Sequence, residues 1–334
     1  MQTRITIVGE PDPAFVNQMK LLVYSLRANG GGLSDAPVSI AVNGRDMDAA
    51  DRSDLEQFGD VAVRVMPRHY GWLFANKFNA LFPQDPFDVL LYVDCDTCVM
   101  DDLAPMIAGL NPDVPQFRGR VMGASGSQNA GPLKDLIQEF GTPDGKTPAD
   151  VADASFPRSY PLFNCGVMVM TRPAAEIIRY HAPRIAHELV SRRASSAVAS
   201  LAGLFRETAH RITARLFPNR ERSTYAYWVA EQMAVAFSLT ANDIAYERLD
   251  RIYNWEHAES PPGRDLPALF HYLKGRHDLD RARLFDGPWQ ETYANGASAP
   301  RRQLAALARA CASSLGVQKT DAVKADAATE PASS

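Results

Sequence analysis

Residues 89–97 read Val89-Leu90-Leu91-Tyr92-Val93-Asp94-Cys95-Asp96-Thr97. Five apolar or aromatic residues in a row, with no polar alternation, are the pattern of a central strand buried on both faces. Two carboxylates one residue apart follow it at once. Ligands of an open α/β sheet bind beyond the carboxyl ends of its strands, so the acidic pair stands at a sheet's ligand edge. A turn there lets Asp94 and Asp96 converge on one cation. Hard oxygen donors suit Mg2+ or Mn2+. Such an ion bridges carboxylates to a pyrophosphate and acts as a Lewis acid toward a departing diphosphate. A bare D-x-D also arises by chance in solvated loops; the buried strand before this one sets it apart.

Working outward, Arg4-Ile5-Thr6-Ile7-Val8 is a β-prone run ending at Gly9. Met19, Leu22, Val23 and Leu26 recur at helical spacing until Gly30-Gly31-Gly32 ends the helix. Val38 to Val42 reads as a second strand, Asp51 to Phe58 as a short acidic helix, and Val61 to Val65 as a third strand. A helix near Asn76 to Leu81 precedes the central strand. Val121-Met122 and Gly166 to Met170 read as later strands. Helices are expected over about Pro173 to Leu216, about Tyr225 to Leu239, and around Leu304, Leu307 and Ala308. This alternation predicts an α/β fold, a mostly parallel central sheet flanked by helices. The stretch from about Lys319 has almost nothing to bury and is expected to be disordered.

The 334 residues carry a net charge of −4, which gives no global reason to expect a nucleic-acid partner. No apolar run approaches the ~18 residues of a membrane span. The N-terminus enters a strand pattern without a signal-peptide core, and there is no Asn-x-Ser/Thr acceptor. Together these predict a cytoplasmic protein. Cys95 and Cys98 form a C-x-x-C, but no second close Cys/His pair completes a zinc site. The four cysteines read as buried, reduced thiols. Between Arg184 and Arg222 arginines alternate with apolar residues at helical spacing. This reads first as a solvated helix covering the core, and second as a surface for peripheral contact with an anionic membrane. Gly123-Ala124-Ser125-Gly126 lacks the spacing of a dinucleotide fingerprint and reads as a loop.

Several motifs occur in a fixed order. Lys77-Phe78-Asn79-Ala80-Leu81 and Val89 through Asp101 resemble the donor-binding region of GT-A-type glycosyltransferases, most closely family 8. Phe163-Asn164-Cys165-Gly166 resembles that family's F-N-[AS]-G segment, Glu231-Gln232 its D-Q helix segment, and His271-Tyr272 its late histidine. The resemblance covers roughly residues 3 to 277. It implies a nucleotide-diphospho-sugar transferase fold that moves a sugar, from a UDP-sugar donor and with retention, to a saccharide, glycan or lipid-linked acceptor. It implies that Asp94, Asp96 and His271 hold Mn2+ or Mg2+, and that Asp94 also lies near the ribose. Gly9 and Phe15 would meet the nucleotide base, with Glu10 beside them. Lys77 would contact the donor, Asn164 the donor-sugar hydroxyls, and Glu231 and Gln232 would face the anomeric carbon. The implied division is a catalytic domain over 1–285 with a helical insertion at about 173–222, a C-terminal helical segment over 286–318, and a disordered tail over 319–334.

The chain departs from the family in two places. Glu231 stands where an Asp is usual, which moves the carboxylate outward by one methylene. After His271 the family's H-x-x-G-x-x-K-P-W becomes His271-Tyr272-Leu273-Lys274-Gly275-Arg276-His277-Asp278. Lys274 is taken as a donor-binding residue, with Arg276 and His277 as alternatives for the lost phosphate contact. A sugar-phosphate nucleotidyltransferase is the rival enzyme reading. It would carry a glycine-rich basic loop after the first strand, where this chain has Gly9-Glu10-Pro11-Asp12. A non-catalytic nucleotide-sugar binder is the third reading, kept open by the two departures.

Overall fold

A computed structural model of the chain describes residues 1–68, 73–124, 161–198, 231–232, 234–239, 242–272, 279–296 and 298–317. Seven strands form the main sheet: β1 (Thr3–Gly9), β2 (Val38–Asn43), β3 (Val61–Met66), β4 (Val89–Val93), β6 (Gln116–Ala124), β7 (Pro161–Thr171) and β8 (Ala245–Arg248). Their order across it is β3-β2-β1-β4-β7-β6-β8. Strands β1 to β4 run parallel. β7 lies antiparallel to both β4 and β6, and β8 is parallel to β6. Two further strands, β5 (Thr97–Val99) and β9 (Leu269–His271), pair antiparallel in a small second sheet.

Both faces of β1 and β4 are covered. Leu90 and Tyr92 join one apolar cluster, with Met168, Met170 and the Ala174, Ile178 and Ala182 face of helix α3 (Arg172–Val198). Leu91 and Val93 join the opposite cluster, with Ile5, Ile7 and the Val16, Met19, Val23 face of helix α1 (Pro13–Asn29). Alternate residues of a strand point to opposite faces, so an unbroken apolar run is what a strand between two helical layers requires. Leu91 is fully buried, and truncation to Ala would cost about 2–5 kcal/mol.

Helix α1 starts where Asp12 accepts hydrogen bonds from the backbone of Ala14 at 3.1 Å and Phe15 at 3.2 Å, with Pro13 in the first turn. It ends at Gly30, whose N–H reaches Leu26 O at 2.8 Å. Helix α2 spans Ala49–Glu56. Helices α4 (Trp289–Gly296) and α5 (Ala299–Ser314) pack with β9 into a third cluster.

The helix expected near Asn76 to Leu81 is a 3-10 helix over Leu73–Leu81. Two expectations are corrected. The strand expected at 166–170 extends over Pro161–Thr171 and runs against its neighbour, so the sheet is mixed on that side. Gly123 and Ala124 belong to β6 rather than to a loop. Residues 199–230, and with them the rest of the arginine-rich stretch, lie outside the described residues, as do Ser125, Gly126, 273–278 and everything beyond 317. Residues 231–232 and 234–239 are helical as expected. The four cysteines are free and buried.

Candidate active site

The chain leaves β4 through a tight turn. The backbone N–H of Asp94 donates to Gly166 O at 2.8 Å, and Thr97 returns two hydrogen bonds to Asp94 O, at 3.2 Å from its N–H and 2.7 Å from its hydroxyl. Strand β5 then starts beside β9, in register Thr97 opposite His271. Tyr272 N–H donates to Asp96 O at 3.1 Å, which locks the histidine's backbone to the acidic turn. One ligand atom each of Asp94, Asp96 and His271 lies within 4.8 Å of the others.

His271 Nε2 is 3.0 Å from Asp96 Oδ2, and its Nδ1 is 3.2 Å from Asn254 Oδ1. Burial pulls the imidazole down, but the Asp96 charge and hydrogen bond outweigh it and hold His271 above its ordinary value. Burial likewise pushes Asp96 up, and His271 more than reverses this. The imidazole and the Asp96 carboxylate face each other, and Asn254 lies within hydrogen-bonding reach of Nδ1 on the far side. That leaves Nε2 as the atom able to exchange a proton for a metal, the supporting contact commonly found behind a ligating histidine. Two carboxylates and an imidazole are a donor set suited to a hard divalent cation, and their convergence fits one ion.

On the other side of Asp94 stands Lys77. Its Nζ is 3.1 Å from Asp94 Oδ2 and 3.0 Å from Glu231 Oε1, and 5.8 Å from the centroid of the Tyr92 ring. Burial opposes its charge, but Asp94 and Glu231 outweigh it and keep the ammonium well above its ordinary value. Tyr92 donates its hydroxyl to Asp94 Oδ1. Glu231 is buried, and desolvation with the nearby Asp94 charge pushes it up to about 7 against the pull of Lys77. Gln232 is buried beside it. Lys77 thus ties the acidic turn to the helical residues 231–232, two motifs remote from each other in sequence.

Gly166 forms the floor. A Cβ built on it would meet Asn164 Oδ1 at 2.9 Å, His271 Cε1 at 3.0 Å and Asp94 Oδ2 at 3.1 Å. Only a residue without a side chain lets these three groups close over one point. Asn164 accepts the Gly166 N–H at 2.8 Å and donates to Glu256 Oε1 at 2.7 Å.

The remaining expected residues lie further along the ligand edge. Gly9 ends β1, and its missing Cβ accommodates Met19, whose Sδ would be 2.9 Å away. Glu10 is buried, accepts from Asn43 Nδ2 at 3.2 Å and pairs with Arg68. Phe15 is partly buried against the α1 cluster, with the Arg281 guanidinium 5.9 Å from its ring centroid. Lys274, Arg276 and His277 lie outside the described residues. Sequence reasoning missed Tyr92 as a partner of Asp94, Asn254 behind His271, Gly166 as the floor and Glu256 behind Asn164. Tyr92 had a signal, a hydroxyl in an otherwise apolar strand and two residues before the carboxylate.

No family model matches the chain, and no curated protein matches it. Among solved structures, the bifunctional glycosyltransferase WbbM in its apo form is similar at 12% identity and a TM-score of 0.44, over 81% of this chain and 46% of that one. This chain therefore spans about half of the WbbM chain's length. The galactosyltransferase LgtC, in complex with donor and acceptor sugar analogues, is similar at 12% identity and a TM-score of 0.45, over 91% of this chain and 95% of that one. The glycosyltransferase GlyE of Streptococcus pneumoniae TIGR4 is similar at 16% identity and a TM-score of 0.45, over 92% of this chain and 60% of that one.

Proposed function

We propose that the chain is a metal-dependent glycosyltransferase. It takes a sugar from a nucleotide-diphosphate donor, a UDP-sugar by its family 8 resemblance, and passes it with retention to a saccharide, glycan or lipid-linked acceptor. The observation that carries this reading is the meeting of Asp94, Asp96 and His271. Their ligand atoms come within 4.8 Å although His271 follows the acidic pair by about half the chain's length. The same three residues are the ligand set that the motif resemblance implies.

A divalent ion held there would neutralise the donor's diphosphate and stabilise it as it leaves. The chain's own residues account for the rest. Lys77, kept protonated by two carboxylates, offers a fixed cation beside Asp94 where negative charge would develop. Asn254, 3.2 Å from Nδ1, would orient the imidazole from behind. Asn164 is poised over Gly166 toward the same point and would meet donor-sugar hydroxyls. Glu231 and Gln232 bound the far side, where a carboxylate would stabilise positive charge at the anomeric carbon. Catalysis is assigned to residues 1–285, with 286–318 as a helical support and 319–334 as a tail. No described helix is long and apolar enough to cross a membrane. A cytoplasmic setting, with peripheral contact through the arginine-rich stretch, is part of the proposal.

The test is a panel of nucleotide-sugars incubated with Mn2+ or Mg2+ and scored for free nucleotide diphosphate. The proposal expects release with a UDP-sugar, loss of release in chelator and loss in Asp96→Ala. Release that persists in chelator overturns it.

A further inference from the structure

Asn254 ends a 3-10 turn over Arg251–Asn254, and Trp255 and Glu256 follow it, with Trp255 bridging to Phe270 of β9. Trp255 N–H donates to Leu269 O at 2.9 Å and its carbonyl accepts from His271 N–H at 2.8 Å. Trp255 is buried within the third apolar cluster, while Asn254 and Glu256 contact site residues. Asn254 reaches His271 Nδ1 at 3.2 Å. Glu256 Oε1 accepts from Asn164 Nδ2 at 2.7 Å.

Arg120 of β6 anchors this segment. Its Nη1 donates to Asn254 O at 2.5 Å and stands 3.3 Å from the same Glu256 Oε1 that holds Asn164. The Arg120 and Glu256 side chains are 11% and 8% exposed, so their attraction is little screened by solvent. An amide can point its oxygen and nitrogen either way round with little steric difference. At Asn164 two partners decide the matter: the Gly166 N–H demands the oxygen, and the Glu256 carboxylate demands the nitrogen. A carboxylate is a stronger acceptor than a neutral oxygen, and Arg120 keeps it in place.

We infer that Glu256, held by Arg120, is the positioning residue that sets the Asn164 amide and thereby the recognition of the donor's sugar ring. The inference rests on the proposed function for its consequence, though not for its geometry. Glu256 acts through Asn164, so its loss affects the sugar half of the donor and leaves the nucleotide half alone.

The test compares the full-length wild type, Glu256→Ala and Glu256→Gln. With Mn2+ present, UDP and UDP-sugar are titrated separately by calorimetry; without ligand, the Asn164 side-chain amide resonance is recorded. Glu256→Ala is expected to bind UDP like the wild type and UDP-sugar about tenfold more weakly, the value of one well-placed hydrogen bond. The Asn164 resonance moves. Glu256→Gln keeps an Oε1 able to accept from both partners and is expected to recover most of the affinity. Equal weakening of UDP and UDP-sugar in Glu256→Ala, or an unmoved Asn164 resonance, overturns the inference. Failure of UDP to bind the wild type would instead sink the donor reading, and the resonance would still decide the positioning claim.

Discussion

Gly166→Ala should disable the site while leaving the fold intact. The added methyl would sit 2.9 Å from Asn164 Oδ1, 3.0 Å from His271 Cε1 and 3.1 Å from Asp94 Oδ2, where ordinary contact begins at 3.4 Å. Each group must therefore retreat by 0.3 to 0.5 Å, the differences between 3.4 Å and those three distances. None moves without loss, since Asp94 is held by Lys77 and Tyr92, His271 by Asp96 and Asn254, and Asn164 by Gly166 and Glu256. Metal and catalytic constellations tolerate roughly 0.5 Å of error, and a 1 Å misplacement can cost about a hundredfold. The substitution is expected to lower metal-dependent turnover roughly 10- to 100-fold. The backbone itself accepts alanine, because Gly166 is not among the positive-φ glycines. The gain from reduced unfolded-state freedom, about 0.4–1 kcal/mol, partly offsets the crowding, so the melting temperature should stay within a few degrees of wild type. Manganese titration and UDP-sugar turnover, with a thermal melt as control, test this. Wild-type affinity and turnover in Gly166→Ala would refute the reading of Gly166 as the floor.

Other consequences concern charge. Lys20 of α1 meets Asp51 at 2.7 Å and Asp54 at 2.6 Å; burial opposes its charge, but the two carboxylates outweigh it and raise it above 10.5. Its stabilisation is then complete below pH 10.5 and is lost as pH rises through the higher folded value, so Lys20→Met should lose about 1–2 kcal/mol at neutral pH and approach wild type in strong base, as read by urea unfolding. Glu231 is raised from 4.5 to about 7. The fold prefers its protonated form, so its contribution is present below pH 4.5 and is lost as pH climbs through about 7. In metal-free protein, Glu231→Gln should remove that slope from the stability curve; an unchanged slope would argue against the burial of this carboxyl. Asn254→Leu should weaken manganese binding about 10- to 100-fold, the usual effect of losing the group behind a metal-ligating histidine, and an unchanged affinity would show that His271 needs no such support.

The run Val89 to Val93 announced a strand buried on both faces because its apolar residues do not alternate, and the clusters on either side bear this out. The helix at Met19 to Leu26 and the glycines that end it were equally legible, since an apolar stripe and a terminator are both local signals. The direction of β7 was not. Parallel and antiparallel neighbours present the same buried run, and the choice depends on the path the chain takes between β4 and β7. Strands β5 and β9 are three residues each, too short for any period to register, yet their pairing is what brings His271 to Asp96. Asp94, Asp96 and His271 converge, Lys77 joins Asp94 to Glu231, and Asn164 lies beside Gly166. Their supports, Asn254, Glu256 and Arg120, could not be found from spacing. Each acts through a contact made between strands remote in sequence, and none carries a local pattern that distinguishes it from an ordinary polar residue.

The central claim is that Asp94, Asp96 and His271 hold one divalent cation that carries a nucleotide diphosphate. A crystal of the protein with manganese and UDP, with data collected for manganese anomalous scattering, tests it most directly. A single strong peak is expected, bonded to both carboxylates and to His271 Nε2 at roughly the 2.0–2.2 Å of such bonds, with the diphosphate completing the coordination and the Asp96–His271 contact opened. A peak elsewhere, or an imidazole still hydrogen-bonded to Asp96 while UDP is bound, would contradict it.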